Sequence, residues 1–298
     1  MARQQFRFSR LEVVRFYVGY LVAKTVLIWF EVRRPRARMA LVEGLYSYGK
    51  VMSVLEKLAY CVPVDIVVSR YGAFEVRAGT IDVICASPEF ERRDMRRLLK
   101  IISAELMQNK RVLFLDVGAD LGTYSIAVAN RFKNDNRLDI VAFEPAPTSY
   151  ELLRRNLDRN GLGDRVDARQ ELLSDRSNQE IDFFYDARAP GGSGTNRNNV
   201  QKGLKPIKLL STTLDQAVGG TVASYDVVIV KADVEGAETE ILQGSESLFT
   251  APKVYFLVED FIDNRIITLL SPRARFLAKL TPYNSWWISE RQREAVPV

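Results

Sequence analysis

The stretch "VLFLDVGADLGTYS", residues 112–125, decides the fold. An apolar run ends in Asp116, and Gly118 and Gly122 follow it within six residues. The run is typical of a buried strand, and the glycines allow a tight turn at which the backbone approaches a ligand without a Cβ between them. A helix that starts after such a turn offers free N–H groups. The stretch therefore predicts a strand, a turn and a helix with a ligand at the turn.

The same alternation continues along the chain. The strand-like runs are "RVLFLDV", "LDIVAFE", "RVDARQELLS", "YDVVIVKAD" and "KVYFLVED", and the helical patterns cover 123–132, 147–160 and 237–248. Nearly continuous apolar strands that alternate with helices indicate a mostly parallel sheet with helices on both faces. We therefore predict an α/β, Rossmann-like cofactor domain over 111–298.

Two segments precede this domain in our prediction. Residues 1–62 form a helical extension, and residues 63–110 form a hairpin followed by a helix. Within 64–85, alternating and β-branched runs broken by glycines indicate a hairpin and a third short strand, and 88–109 indicates a charged helix. After "WWIS" the last antiparallel strand of such a sheet is hard to place, so we expect an abbreviated sheet edge.

Charge is distributed unevenly along the 298 residues. The chain has 42 Lys and Arg against 37 Asp and Glu, but residues 1–38 alone hold nine basic and two acidic residues, which leaves the rest close to neutral. An enzyme acting on nucleic acid carries its basic face on the catalytic body, because neutralising phosphates supplies much of the affinity. We therefore expect no nucleic-acid partner.

Histidine is absent and Cys61 and Cys85 are the only cysteines. These counts exclude a Cys/His zinc site and a Ser-His-Asp triad, so proton transfer falls to carboxylate, lysine, tyrosine or water. Two cysteines in a chain of this size fit a reducing compartment, and we expect a cytoplasmic protein.

The run "FYVGYLVAKTVLIWF", residues 16–30, resembles a targeting segment. Lys24 interrupts it, and the uncharged run is too short for a membrane span. One interpretation is a helix packed on the main domain. The other is a basic, aromatic helix on an anionic membrane surface, which would give residues 1–38 a peripheral membrane contact.

Acidic residues end three successive strands of the predicted sheet. Asp116 is followed by Glu144 in "VAFEP", where a carboxylate accepts both hydroxyls of a ribose, and by Asp175 in "LLSD", which would face an adenine amino group. Asp120 in the glycine turn would repel a pyrophosphate and suit an ammonium and a sulfonium, which favours S-adenosylmethionine over NAD. The predicted cofactor-binding residues are Asp116, Gly118, Asp120, Gly122, Tyr124, Glu144, Pro145, Ser174 and Asp175.

A second acidic group ends the strand in "VIVKADVEGAE". The candidate catalytic residues are Lys231, Asp233, Glu235 and, at the next strand end, Glu259. Asp233 and Glu235 are two apart, so an extended backbone would send both to one side, and clustered carboxylates raise one another's pKa as a base for an alcohol requires. Alternatively the acids hold a divalent ion, which we do not favour, or are structural, with Glu238 capping its helix or pairing with Lys231.

The loop "APGGSGTN", residues 189–196, has two interpretations. In the first it is a mobile lid with glycine hinges, whose Ser193, Thr195 and Asn196 touch cofactor or acceptor. In the second it is a plain surface connection.

Two further pairs have open roles. Arg77 and Asp82 either contact acceptor hydroxyls or form a salt bridge within the hairpin segment. Trp286 and Trp287 alternate faces on a strand, so one is expected in the core and the other is free to stack on a sugar.

The chain resembles the FkbM-type methyltransferases of the class I S-adenosylmethionine-dependent fold. The similarity rests on "FLDVGADLGTYS", "VAFEPAPTSYELLRRNLDRNG", "ELLSD", "GGSGTN" before "LLSTTLDQ", and "VIVKADVEGAETEILQG", with "FEVRAGTIDV" upstream. Asp120 stands where the family usually has Asn, Ala232 where it often has Ile, and the sequence after 260 matches poorly. The resemblance implies S-adenosylmethionine as cofactor and methyl transfer to a hydroxyl of a sugar, glycan, lipid-linked or polyketide-like small molecule.

Two other functions remain as alternatives. One is a methyltransferase acting on RNA or protein, which the nearly neutral catalytic region and the absence of an Asn-Pro-Pro-Tyr-like motif disfavour. The other is a nonenzymatic, membrane-attached protein that binds the cofactor, which the intact Asp116, Glu144 and carboxylate group disfavour.

Overall fold

The computed structural model of the chain describes residues 65–77, 80–86, 90–187, 190–196, 204–260 and 265–291. The predicted extension over 1–62, with the apolar run at 16–30, lies outside the described residues, so its boundaries and its membrane contact stay predictions. Within the described ranges, no helix has the length and apolar character needed to cross a membrane.

Twelve strands and seven α-helices are named in chain order within the described ranges. The strands are β1 Ile66–Ser69, β2 Gly72–Glu75, β3 Val112–Val117, β4 Leu138–Phe143, β5 Asp167–Arg169, β6 Leu172–Leu173, β7 Glu180–Phe183, β8 Ile207–Thr212, β9 Val227–Ala232, β10 Lys253–Glu259, β11 Arg275–Lys279 and β12 Asn284–Glu290. The helices are α1 Asp82–Cys85, α2 Arg92–Met107, α3 Thr123–Arg131, α4 Pro147–Arg159, α5 Leu214–Val222, α6 Glu238–Gln243 and α7 Arg265–Leu270.

The central sheet has seven strands in the order β11-β12-β10-β9-β3-β4-β5. The five strands from β10 to β5 run parallel, and β12 runs antiparallel to both β10 and β11. Strand order reverses beside β3, where a parallel sheet leaves a crevice at the carboxyl ends of its strands. The predicted α/β architecture is confirmed, and it places the ends of β3, β4 and β9 around one crevice.

Helices cover both faces of this sheet because its inner strands are apolar on both sides. All six residues of β3 are buried. One face packs against α5, α6 and α7 in a single cluster that includes Leu115, Val230 and Phe256. On β3, Asp116 lies on the opposite face from Leu115, where α3 follows the glycine turn and meets it.

A small second sheet stands beside the crevice. It has the order β6-β8-β7, with β7 antiparallel to β8. Phe184, next to β7, exchanges backbone hydrogen bonds with Gly194, at 2.8 Å for its own N–H and 3.1 Å for that of Gly194. This bridge pins the loop at 190–196 to the small sheet.

Two expectations about the sheet and hairpin are wrong. The third short strand expected within 64–85 is instead a single helical turn, α1, although the β1-β2 hairpin before it is as predicted. The sheet edge is not abbreviated, because β12 contains the "WWIS" run and pairs with β10 over seven residues while β11 forms the edge. The antiparallel strand that we expected after "WWIS" is therefore β12, which contains that run.

Both tryptophans of β12 are buried, which corrects the expectation that one stacks on a sugar. Trp286 is fully buried, and its indole N–H donates to Asp94 Oδ1 at 2.6 Å. Trp287 is 5% exposed and donates to Ser285 Oγ at 2.8 Å. The physical reason is that β12 is an interior strand, so helices or neighbouring strands cover both of its faces.

Trp286→Ala is expected to destabilise the protein strongly. The substitution leaves a cavity and removes the only hydrogen bond that the structure gives the indole, so we expect a loss of about 3–5 kcal/mol in the free energy of unfolding. Phe276→Ala on β11 is the matched control, since Phe276 is 50% exposed, and should stay within about 1 kcal/mol of wild type. Urea unfolding followed by circular dichroism measures both, and equal losses would contradict this packing.

Candidate active site

The glycine turn after β3 is fixed by the segment that follows β9. Gly118 has φ +79°, and a Cβ built on it would lie 1.9 Å from the carbonyl oxygen of Asp233. Glycine is therefore required here because two stretches of backbone meet, rather than because a ligand fills the space. Gly122, with φ +92°, then caps the start of α3. The turn therefore holds the carboxyl ends of β3 and β9 close together.

A cleft opens at the carboxyl ends of β3 and β4. Its walls include Gly118, Glu144, Pro145, Leu172 and Leu173. Its enclosed volume is only about 60 Å³, well below the roughly 300–1,000 Å³ usual for small-molecule sites, so the walls have to move apart to admit a ligand. The strand ends thus create a mostly apolar slot whose wall also carries five acidic residues, Asp120, Glu144, Glu171, Asp233 and Glu235.

Glu144 is held rigidly in this cleft. Its Oε2 accepts a hydrogen bond from the backbone N–H of Asp120 at 2.8 Å, and its Oε1 accepts one from Ala146 at 2.9 Å. Burial, and then the charge of Asp120, raises the pKa of Glu144 to about 8. Each oxygen keeps a second lone pair, so the carboxylate can still accept hydroxyl donors.

Asp116 lies beneath the cleft and is fully buried. Its Oδ2 accepts from the backbone N–H of Ser125 at 3.0 Å and from the Ser125 hydroxyl at 2.6 Å. Its Oδ1 has no hydrogen bond from the described residues, but the Lys231 ammonium lies 3.8 Å away. The side chain therefore ties α3 to β3 and presents one oxygen toward β9.

Asp120 has its charge balanced by Arg77. The guanidinium of Arg77 lies 2.6 Å from Asp120 Oδ1, and it also donates to Asp82 at 2.7 Å and to the Ser149 hydroxyl at 2.8 Å. Arg77 and Asp82 thus form the salt bridge of the second interpretation, and Arg77 forms a further one with Asp120 in the glycine turn. Burial raises the pKa of Asp120, and Arg77 opposes this by stabilising the charged form.

Some predicted cofactor residues do not line the cleft. Glu171 and Leu172 are on its wall, whereas the Ser174 hydroxyl donates to Asp175 at 3.2 Å and Asp175 pairs with Arg176. Pro145 does line it. The structure therefore puts the residues just before Ser174 at the slot.

The loop at 190–196 closes one side of the same cleft. Pro190, Gly191, Ser193, Gly194 and Thr195 are on its wall. The Ser193 hydroxyl oxygen accepts from the backbone N–H of Asp186 at 3.0 Å, so this side chain is used within the loop. The lining position supports a functional loop, and lid movement stays a prediction.

The second acidic group lies after β9, but the backbone conformation that brings its side chains together differs from the expected one. Glu235 has φ +59°, so the backbone beyond Asp233 is not extended but turns through the left-handed region, and Gly236 continues the turn at φ +104°. One carboxylate oxygen each of Asp233, Glu235 and Glu259 still lies within 4.8 Å of the others. We call these three residues the carboxylate cluster.

Lys231 joins the carboxylate cluster to the cleft. Its ammonium lies 3.2 Å from Asp233 Oδ2, 3.5 Å from the Gly118 carbonyl oxygen and 5.0 Å from the centre of the Tyr124 ring. Burial, reinforced by the charge of Asp233, raises the pKa of Glu235 to about 8 and that of Glu259 to about 10. Glu235 and Glu259 are therefore easier to protonate than a solvent-exposed glutamate.

Glu238 belongs to the turn rather than to the cluster. It accepts from the backbone N–H groups of Val234 at 2.9 Å and Gly236 at 3.1 Å. These bonds hold the turn that leads into α6 and do not cap the helix, because both N–H groups lie before its first residue. Burial raises the pKa of Glu238 to about 7.

The carboxylate cluster also has the donor set of a divalent-cation site. Three carboxylate oxygens at this spacing suit a hard cation such as Mg²⁺ or Ca²⁺. The Lys231 ammonium already lies against Asp233, however, and supplies positive charge at that position. Both uses of the cluster are therefore compatible with its geometry.

The domain family described as "Methyltransferase FkbM domain" matches residues 116–273, more than half of the chain. The chain belongs to the FkbM methyltransferase family. Its cofactor is S-adenosylmethionine. The cleft fits that cofactor by the chemistry of its walls, which combine an apolar slot beside Glu144 with carboxylates toward β9 that suit a cationic group.

Three curated relatives each match part of this chain. Hexuronic acid methyltransferase AglP of Haloferax volcanii is 28% identical over 171 residues, which are 57% of this chain and 65% of AglP. Methyltransferase 1 of Beauveria bassiana is 25% identical over 56% of this chain and 68% of its own length. Methyltransferase sdnD of Sordaria araneosa is 30% identical over 44% of this chain and 59% of its own length. The chain thus matches about two thirds or less of each relative.

Glu91 is a residue of this FkbM methyltransferase site that the sequence did not reveal. It precedes α2, and its carboxylate accepts from the Tyr124 hydroxyl at 2.7 Å. The predicted charged helix at 88–109 carries several acidic residues, and no local pattern distinguishes Glu91 from them. Its contact spans 33 residues of sequence, so only the fold brings it to the site.

We propose that Glu144 binds the cofactor ribose, and Glu144→Ala tests it. At a pH above the pKa of Glu144, where the side chain is ionised, losing this charge-assisted contact should weaken S-adenosylmethionine binding by about 1.5–3 kcal/mol, roughly ten- to a hundredfold. Calorimetric titration measures the affinity. Glu180→Ala, an exposed carboxylate on β7, is the control and should bind like wild type. Unchanged affinity in Glu144→Ala would remove Glu144 from the cofactor site.

The cofactor-free protein is expected to lose stability as the pH rises from 6 to 8. Glu144 and Glu235 have folded pKa values of about 8, above the ordinary value of 4.5, so they favour the folded state when protonated. This contribution is complete below pH 4.5 and is lost as the pH passes the folded values. Thermal unfolding should therefore show a lower Tm at pH 8, and Glu144→Gln should flatten the slope. A Tm that rises over this interval would contradict these environments.

Proposed function

We propose that the chain is an O-methyltransferase that transfers the methyl group of S-adenosylmethionine to a hydroxyl of a sugar, glycan or similar hydroxylated small molecule. The observation that carries the proposal is the carboxylate cluster of Asp233, Glu235 and Glu259, which adjoins the cofactor cleft and is linked to it by Lys231. An alcohol is a weak nucleophile at neutral pH, so its methylation needs a group that removes the proton. Carboxylates are available for this task, whereas the chain has no histidine.

Residues in the cleft bind the cofactor, and residues of the carboxylate cluster act on the acceptor. Glu144 and the slot formed by Pro145, Leu172 and Leu173 hold the adenosine part of the cofactor. When bound, S-adenosylmethionine supplies a methyl group on a sulfonium, whose carbon–sulfur bond breaks as the acceptor oxygen forms its bond to that carbon. A carboxylate oxygen of the cluster takes the proton of the acceptor hydroxyl. Lys231 aligns Asp233 for this role through the ion pair at 3.2 Å.

The charge of the site favours a neutral acceptor. Burial and the charge of Asp233 already raise the pKa of Glu235 and Glu259, so a further negative charge on the acceptor would be unfavourable beside them. This favours an uncharged hydroxyl over RNA. AglP is named for hexuronic acid, which supports a sugar ring as the acceptor, and our proposal differs in preferring a neutral ring.

Incubation of the full chain with S-adenosylmethionine and a panel of methyl hexosides and the matching uronates tests the acceptor class. We expect methyl ethers on hydroxyls of the neutral sugars, identified by mass spectrometry and NMR. Asp233→Asn should lower kcat by about 10²–10⁴-fold, the contribution usual for a general base, and Glu180→Gln should not. A methyl group found only on a carboxylate, or only on RNA added to the panel, would overturn the proposal.

The role of Lys231 leads to a prediction about metal ions. If Lys231 supplies the positive charge of the cluster, methyl transfer should survive dialysis against EDTA with kcat unchanged. Addition of Mg²⁺ or Mn²⁺ should then have no effect. Loss of activity on chelation, restored by one of these ions, would show instead that Asp233, Glu235 and Glu259 hold a cation.

A further inference from the structure

Glu91 links four parts of the fold at the edge of the active site. One carboxylate oxygen accepts from the Tyr124 hydroxyl at 2.7 Å, and the other accepts from Nδ2 of Asn284 at 2.5 Å. Glu91 itself immediately precedes α2, Tyr124 lies on α3 and Asn284 begins β12. The Tyr124 ring in turn faces the Lys231 ammonium of β9 at 5.0 Å.

The backbone of Glu91 is held in an unfavourable conformation. Its φ is +40°, in the left-handed region that non-glycine residues rarely adopt, and glutamate lacks the short side chain that makes Asn and Asp tolerant of it. Among the described residues, Glu91 and Glu235 are the two glutamates with positive φ. Both face the same site, and strained residues persist where the surrounding structure holds them for a purpose.

The Tyr124 ring is the connection between Glu91 and the catalytic residues. A hydroxyl that donates to a carboxylate makes a charge-assisted bond, which fixes the ring plane. An ammonium within about 6 Å of a ring face is attracted to it. Lys231, so placed, lies 3.2 Å from Asp233 and 3.8 Å from Asp116.

We propose that Glu91 is a positioning residue for methyl transfer, which acts through the Tyr124 ring to hold the Lys231 ammonium against Asp233. The inference rests on the proposed function, because it assigns the part that the segment before the cofactor domain plays in that reaction. The other carboxylate oxygen of Glu91 is held by Asn284. The position of the carboxylate is therefore set independently of Tyr124, and the carboxylate in turn fixes the Tyr124 hydroxyl.

The charge of Glu91 also reaches the carboxylate cluster. The titratable or charged groups that face it are Cys85, Asp94, Tyr124, Lys231, Asp233 and Glu259. Burial, and then the charge of Asp233, raises the pKa of Glu91 to about 7, while Lys231 opposes this. The negative charge of Glu91 contributes to the high pKa of Glu259. Removing that charge should therefore lower the pKa of the cluster.

Glu91→Gln, Tyr124→Phe and the double variant test the inference with a methyl hexoside as acceptor. We expect Glu91→Gln to lower kcat about tenfold, with KM changed less than about twofold, and to move the acidic limb of the kcat profile to lower pH. Because both residues act along one connection, the double variant should be no slower than the slower single variant. Glu75→Gln is the control, since Glu75 lies in the same preceding segment and pairs with Arg155 and Arg159.

A second measurement needs no acceptor. The cationic cofactor lowers carboxyl pKa values near it, so binding of S-adenosylmethionine at pH 7 should release protons, which calorimetry in buffers of different ionisation enthalpy counts. Glu91→Gln should release fewer than wild type, and Glu75→Gln the same number. Circular dichroism confirms that each variant is folded, and Tyr124→Phe, which keeps the ring, replaces Glu91→Gln if the latter does not fold.

The outcomes separate the two proposals. An active wild type whose Glu91→Gln variant keeps its pH profile and proton release would overturn the role of Glu91 and leave the proposed function standing. Effects of Glu91→Gln and Tyr124→Phe that multiply in the double variant would also overturn it, because the residues would then act independently. A wild type that methylates no hydroxyl would overturn the proposed function, and the proton count would still decide whether Glu91 is coupled to the cluster.

Discussion

The placement of the Lys231 ammonium is the interaction on which the rest of the site depends. The side chain is 7% exposed, lies between Asp116 and Asp233, and faces the Tyr124 ring. A buried carboxylate without a positive partner takes up a proton instead of keeping its charge. The acids at the ends of β3 and β9 can therefore stay close together because this cation lies between them.

Close backbone contact at the strand ends holds that arrangement in place. The Asp233 carbonyl occupies the space where any side chain at position 118 would begin, so the glycine turn after β3 and the turn after β9 fix each other. Asp120 and Glu235, on either side of this contact, have positive φ. Arg77 donates a hydrogen bond to Asp120, and Glu238 accepts one from the backbone N–H of Gly236, next to Glu235. Strain at these positions is thus balanced by neighbours from separate elements.

The sequence predicted the parallel strands and the acids at their ends because both depend on short patterns. Apolar runs mark buried strands, and parallel strands end at one edge, so Asp116, Glu144 and Asp233 had to lie near each other. Leu172 and Leu173 were harder to predict as lining residues. The chain leaves β5 after Arg169 and enters β6 at Leu172, and this break decides which side chains reach the cleft. The expectation that one of Trp286 and Trp287 is free to stack on a sugar was wrong because β12 lies inside the sheet. Glu91 was missed because its partners are 33 and 193 residues away.

A crystal structure with S-adenosylhomocysteine bound tests the central claim most directly, because the claim is that cofactor and carboxylate cluster share one site. The account predicts adenosine in the slot beside Leu172 and Leu173, ribose hydroxyls within hydrogen-bond distance of Glu144, and the sulfur directed toward Asp233 and Glu259. Adenosine bound elsewhere, or a sulfur directed away from the cluster, would contradict it.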